Sequence, residues 1–174
     1  MHIYSNNIKN GYIEDPFGHR GTAFVEGKMP SRSFHLGWKD LPAETKSLAL
    51  IFIDHEAVPV CGFPWIHWTV ANIDPATGEL PENASIEMRS QLTQGVNSWA
   101  SPLLTDDSKL SHEQASAFGG SAPPDKTHRY QVHVYALDTM LNLNTGFFEN
   151  ELLNAMNGHI LDEVILFGLY KSKD

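Results

Sequence analysis

The chain has 174 residues, 41% of them hydrophobic and 19% charged, a globular composition that excludes wholesale disorder. Its net charge is −9 and its Lys and Arg are scattered singly, so no basic stripe is available for nucleic acid. The single cysteine, Cys61, rules out an intramolecular disulfide. The opening Met1-His-Ile-Tyr-Ser-Asn-Asn7 lacks the apolar stretch of a signal peptide, and the longest wholly apolar run, Leu48 to Ile53, is far too short to span a bilayer. These features predict a cytoplasmic protein without integral membrane association. No repeat, low-complexity tract or linker interrupts the sequence, so one domain over 1–174 is expected.

In chain order, the first strong element is Ser47-Leu-Ala-Leu-Ile-Phe-Ile53, an apolar run suited to a central strand buried on both faces. Trp65 to Ile73 alternates, which predicts Ile66, Trp68 and Val70 on one side and His67, Thr69 and Ala71 on the other. Asn97 to Lys109 reads as a long Ser/Asp-containing surface loop. Ser111-His-Glu-Gln114 is a capping box opening a short helix. Arg129 to Ala136 alternates again, with Tyr130, Val132 and Val134 together. Phe148 to Asn157 places Phe148, Leu152, Ala155 and Met156 on one helical face, with Gly158 as its C-terminal cap. Glu163 to Tyr170 is a fourth strand. Runs of this kind separated by Gly, Pro and Asp-rich turns point to a mostly-β sandwich or barrel.

Two segments concentrate polar groups in apolar surroundings. Asp54-His-Glu-Ala-Val-Pro59 follows the apolar strand directly, where an unpaired carboxylate is costly and needs a partner; the alternative is a solvated turn. Gly119-Gly-Ser-Ala-Pro-Pro-Asp-Lys-Thr-His-Arg-Tyr130 joins two glycines, which permit close backbone approach, to the rigid Pro123-Pro124. Strand alternation puts His128 and Tyr130 on one face and Arg129 on the other. Cys61 is expected to be a buried, inert thiol, the competing reading being a nucleophile with His67 as base.

These segments carry a family resemblance. Asp54–Pro59, followed closely by Ile66-His-Trp-Thr-Val70, resembles the first conserved region of the phosphatidylethanolamine-binding proteins, which include the Raf kinase inhibitor proteins; the chain is most similar to the bacterial branch. Gly119–Tyr130 resembles the second region. Leu36-Gly-Trp38, Thr45-Lys-Ser-Leu-Ala-Leu50, Gly95-Val-Asn-Ser98 and Glu151–Ile160 extend the resemblance over nearly the whole chain.

The resemblance implies a β-sandwich with a few short peripheral helices and a small pocket at one end. In relatives that pocket takes phosphate, acetate, cacodylate or a phosphoryl headgroup. It implies ligand-binding roles for Asp54, Glu56, Trp65, His67, Ala122, Pro123, His128 and Tyr130. Pro59, Pro124 and Arg129 would support the site, the Arg129 guanidinium pairing with Glu56. His55 stands where relatives usually have Pro, Glu56 where they have Asp, and Val58 is an extra residue before Pro59. Ala122 stands where many relatives have Gly, so its Cβ would narrow the pocket.

Imidazoles can donate hydrogen bonds and become cationic near neutral pH, which suits an anion. Asp54 limits the negative charge tolerated, favouring a protonated phosphate monoester or an amine-bearing headgroup over a dianion. No H-E-x-x-H, paired-Cys zinc spacing, Walker A or G-x-S-x-G pattern is present, so neither a metal nor a cofactor is expected. The set His55, Glu56, His67 and His128 is the one metal alternative. The expected function is binding of a small anion or phospholipid headgroup, by a monomer or homodimer, with regulation of a kinase or protease as its output. A hydrolase or other general acid–base enzyme using the same His/Asp pocket is the alternative.

Overall fold

A computed structural model of the chain describes residues 1–173. Four long strands dominate: β1 (Ser47–Asp54), β2 (Trp65–Ile73), β3 (His128–Leu137) and β4 (Ile160–Tyr170). All eight residues of β1 are buried, which is why its sequence is apolar on both faces. It lies inside a seven-stranded sheet ordered Thr93–Gln94, β2, β1, β3, β4, Tyr12–Ile13, Ile8–Lys9. All of its pairings are antiparallel except that of β4 with Tyr12–Ile13.

A three-stranded sheet of His2–Tyr4, Leu36–Lys39 and Glu79–Leu80 covers one face of the large sheet. Its Ile3, Leu36, Trp38 and Leu80 form one core with Leu50 and Phe52 of β1 and Tyr130, Val132 and Val134 of β3. On the opposite face, Ala49, Ile51 and Ile53 pack against Leu141, Phe147, Leu152 and Met156. The fold is therefore a mostly-β sandwich. Four short helices are peripheral: α1 (Val58–Cys61), α2 (Ala84–Glu87), α3 (His112–Ala115) and α4 (Glu149–Met156). The Ser111–Gln114 capping box is formed at α3. At α4, Leu152 and Met156 are buried and Gly158 takes a positive φ of 83°, but Phe148 caps the helix and is 46% exposed. It lies just before the first helical turn, so the helical face does not reach it. No helix among the described residues is long and apolar enough to cross a membrane.

The alternation expected in β2 fails at one point that matters. Phe52 opposes Trp68 whereas the next residue, Ile53, opposes Ile66, so one residue on β2, His67, is extra. Such a slip turns side chains over locally. Ile66 goes to the second core, while the His67 ring stays on the Trp68 side, 5.0 Å from Phe52 and 5.1 Å from Tyr130 between ring centres.

Candidate functional site

Antiparallel order brings the end of β1 beside the starts of β2 and β3. Asp54, Trp65, His67, His128 and Tyr130, which span much of the sequence, therefore share one end of the sheet. They line a cavity of about 210 Å³, together with Ala122 and Pro124. Its floor is the aromatic core: Phe52 stacks on Phe118 at 5.7 Å and lies 5.6 Å from Tyr130.

Asp54 ends β1 and caps the following turn, its Oδ1 accepting the Glu56 backbone N–H at 2.8 Å. Its Oδ2 lies 2.7 Å from His128 Nδ1, and His128 Nε2 lies 2.8 Å from Asp125 Oδ1. Burial works against a charged His128 ring, but the hydrogen bonds and charges of Asp54 and Asp125 outweigh it and raise its pKa above the ordinary histidine value. A protonated His128 then donates one N–H to each carboxylate.

His67 behaves oppositely. Burial lowers its pKa to about 4, although the charge of Asp54 and the backbone of Gly119 and Gly120 work the other way. It is thus neutral near pH 7. Nδ1 lies 2.8 Å from the Gly119 carbonyl oxygen, which can only accept, so Nδ1 carries the proton. The Gly119 N–H in turn donates to the His67 carbonyl at 2.8 Å. A Cβ on Gly119 would lie 2.4 Å from Trp99 Cζ3, so this approach needs glycine. The expectation that both imidazoles offer N–H groups to an anion is therefore corrected. His128 spends both on carboxylates and His67 spends its one on a carbonyl.

The indole N–H of Trp65 is buried without a hydrogen-bond partner, and the buried Tyr130 hydroxyl has only the Ser121 hydroxyl and the Ala122 backbone as polar neighbours from its own segment. Burial, then the negative charge of Asp54, raises the Tyr130 pKa, so this group stays a hydroxyl.

Other expectations need correction. Glu56 does not line the cavity, and its carboxylate accepts the backbone N–H of Arg129, not the guanidinium. The Arg129 side chain is exposed and lies 4.9 Å over the Phe167 ring on β4. Residue 129 thus holds the two segments together through its main chain. Pro124 lines the cavity while Pro123 is buried behind it facing a neighbouring cleft, the reverse of the expected roles. Pro59 lies within α1 and is exposed. Cys61 is exposed on the cavity wall, because α1 runs over its mouth.

Trp99 escaped the sequence reading. Asn97 to Ala100 are buried in place of the expected surface loop, with Asn97 Oδ1 accepting the Trp99 N–H at 3.0 Å. Trp99 meets Trp65 edge-on at 5.2 Å and His67 at 5.3 Å, completing the wall. Its signal was an aromatic residue directly after Gly95-Val-Asn-Ser98. A larger groove of about 490 Å³ beyond it is lined by Phe63, Ile66, Val96 and Phe148 among others. Its titratable side chains are Lys109 and His112 with no carboxylate, whereas the smaller cavity gathers a carboxylate and two imidazoles and is the stronger chemical candidate. Among the described residues no group of three or more His, Cys, Asp or Glu side chains is placed to hold a metal ion.

The phosphatidylethanolamine-binding protein family model matches residues 5–171. The chain belongs to that family. It is 47% identical over 161 residues to the uncharacterized protein YxkA of Bacillus subtilis, covering 92% of this chain and 89% of that protein. A UPF0098 protein of Methanothermobacter thermautotrophicus is 36% identical, covering 83% and 91% of the two chains. Among solved structures, a phosphatidylethanolamine-binding protein homologue from Chlamydia trachomatis superposes with a TM-score of 0.76 at 30% identity, covering 98% of this chain and 97% of that one. Escherichia coli YbcL, described as a member of the same family, gives 0.75 at 26% identity, with 99% and 98% covered.

Proposed function

We propose that the cavity binds a small acid, a carboxylic acid or phosphoryl headgroup, and that the protein uses the occupied state to regulate a partner such as a kinase or protease. The observation that carries this reading is the convergence of Asp54, His67, His128 and Tyr130 on one cavity whose wall also carries the Trp65 indole N–H, a buried donor without a partner. A buried polar group left unpaired costs about 1–3 kcal/mol, and an acidic oxygen placed against it offsets that cost. Family membership supports ligand binding in the general sense. The cavity volume of about 210 Å³ suits a headgroup or a small acid.

Titration of isotope-labelled protein with phosphate and with acetate, followed by NMR, tests the assignment. Resonances of Trp65, His67, His128 and Tyr130 are expected to shift first. Shifts confined to other surfaces would overturn it.

A further inference from the structure

We infer that the cavity takes up its acid together with one proton, so that the bound species is a carboxylic acid or a singly charged phosphate monoester, not the fully ionised form. This rests on the proposed ligand-binding reading and deepens it. The ground is a count of hydrogen-bonding valences around the cavity. His67 directs its only neutral-form N–H at the Gly119 carbonyl, at 2.8 Å, with the Gly120 backbone close beside the ring. Nε2 is then a lone pair. His128 is engaged at both nitrogens by Asp54 and Asp125. Each Asp54 oxygen accepts one hydrogen bond.

The ionisable groups therefore present lone pairs to the cavity, while the donors lining it are neutral: the unpartnered Trp65 indole and the Tyr130 hydroxyl, whose oxygen lies by the Ala122 backbone and the Ser121 hydroxyl. A fully ionised acid brings only more lone pairs. A protonated acid brings one O–H for His67 Nε2 and one oxygen that accepts from Tyr130.

The surroundings of His67 hold that pattern in place. β1 contributes Asp54 and Phe52, and β3 contributes His128 and Tyr130. Trp99 and the Gly119–Gly120 backbone close the remaining sides, and Cys61 stands at the mouth. Among these, the Asp54 charge favours a proton on His67, while burial and the His128 charge oppose it. Burial keeps the His67 ring neutral, so in the occupied state the proton stays on the acid and one proton enters with each ligand.

The test compares acetate with acetamide, which has the same shape but carries its own N–H and C=O, on the intact chain at about pH 6, 7 and 8. A free carboxylic acid has a pKa of about 4.3, so acetate is ionised throughout this range. Uptake of one proton then predicts an affinity for acetate that falls about tenfold per pH unit. Calorimetry in buffers of unlike ionisation enthalpy should register that proton. Acetamide should bind with a flat profile. Loss of the His128 charge would weaken an ionised ligand and leave acetamide alone, so the series is repeated on His128→Gln: a proton that enters with the acid keeps the tenfold slope there, whereas titration of His128 would leave it flat.

Acetate binding that is flat in pH, or occurs without proton uptake, would overturn the inference while leaving ligand binding intact. Failure of phosphate, acetate and acetamide alike to bind would overturn the ligand-binding reading itself.

Discussion

Each nitrogen of His128 faces a carboxylate, at 2.7 Å for Asp54 and 2.8 Å for Asp125. Only the protonated ring can donate to both, so Asp125 holds a proton on His128 although it lies outside the core. Asp125→Asn should move the His128 pKa downward, read from the ring resonances in an NMR pH titration. An unmoved titration would mean that Asp54 alone sets the value. The neighbouring residue makes a different prediction. Arg129 reaches Phe167 from the surface, a contact worth about 0.5–1 kcal/mol at an exposed site. Glu56 instead receives the Arg129 main-chain N–H, which no side-chain replacement at 129 removes. Arg129→Met should therefore cost less than about 1 kcal/mol. Its coupling to Glu56→Gln in a denaturant-unfolding cycle should stay within about 0.5 kcal/mol. A coupling of about 3–5 kcal/mol would instead reveal a buried charge pair.

At the scale of elements, the site depends on strand ends and on one irregularity. Alternation in β3 was readable: His128 and Tyr130 are buried and Arg129 exposed, as the spacing requires. The run in β1 was readable because burial on both faces admits only apolar residues. In β2 the slip at His67 was not readable, since nothing in Trp65-Ile-His-Trp68 marks an extra residue; the irregularity appears only in its pairing with β1. Trp99 was hidden for a related reason. Its segment is rich in serine and aspartate, yet its first half is buried by tertiary packing against Trp65, His67 and Met29. The Gly119-Gly120 pair was readable as a close approach, and its partners define the consequence. A Cβ on Gly119 would meet Trp99 Cζ3 at 2.4 Å, Cε3 at 2.6 Å and Met29 Sδ at 3.1 Å. Gly119→Ala should therefore cost about 1–3 kcal/mol and alter the tryptophan fluorescence. Unchanged stability and emission would show that the wall yields freely.

Over the whole molecule, the two histidines of the cavity give stability opposite dependences on pH. His67 has its folded pKa depressed to about 4 from 6.5, so between these values the unfolded chain binds the proton and the folded chain does not. Stability therefore falls as pH drops through that window, by roughly 3 kcal/mol from this group. His128 has a raised folded pKa, so its contribution is complete below the ordinary value and is lost as pH rises through the folded one. Urea unfolding of the wild-type chain beside His67→Gln isolates the first effect, because the carboxylates are common to both. The stability difference should shift against wild type by roughly 3 kcal/mol between about pH 7 and pH 4. A constant difference would mean that His67 is not held neutral by the fold.

The claim that this cavity is built for a ligand is tested most directly with Tyr130→Phe, which deletes a buried hydroxyl on the cavity wall and leaves the ring in the core. Phosphate affinity and unfolding free energy should be measured on the same preparation. The hydroxyl is expected to serve the ligand and not the fold. Affinity should then fall about tenfold, the loss of one hydrogen bond, while stability holds or rises by up to about 1 kcal/mol. Lost stability with unchanged phosphate affinity would make the hydroxyl structural and contradict the claim.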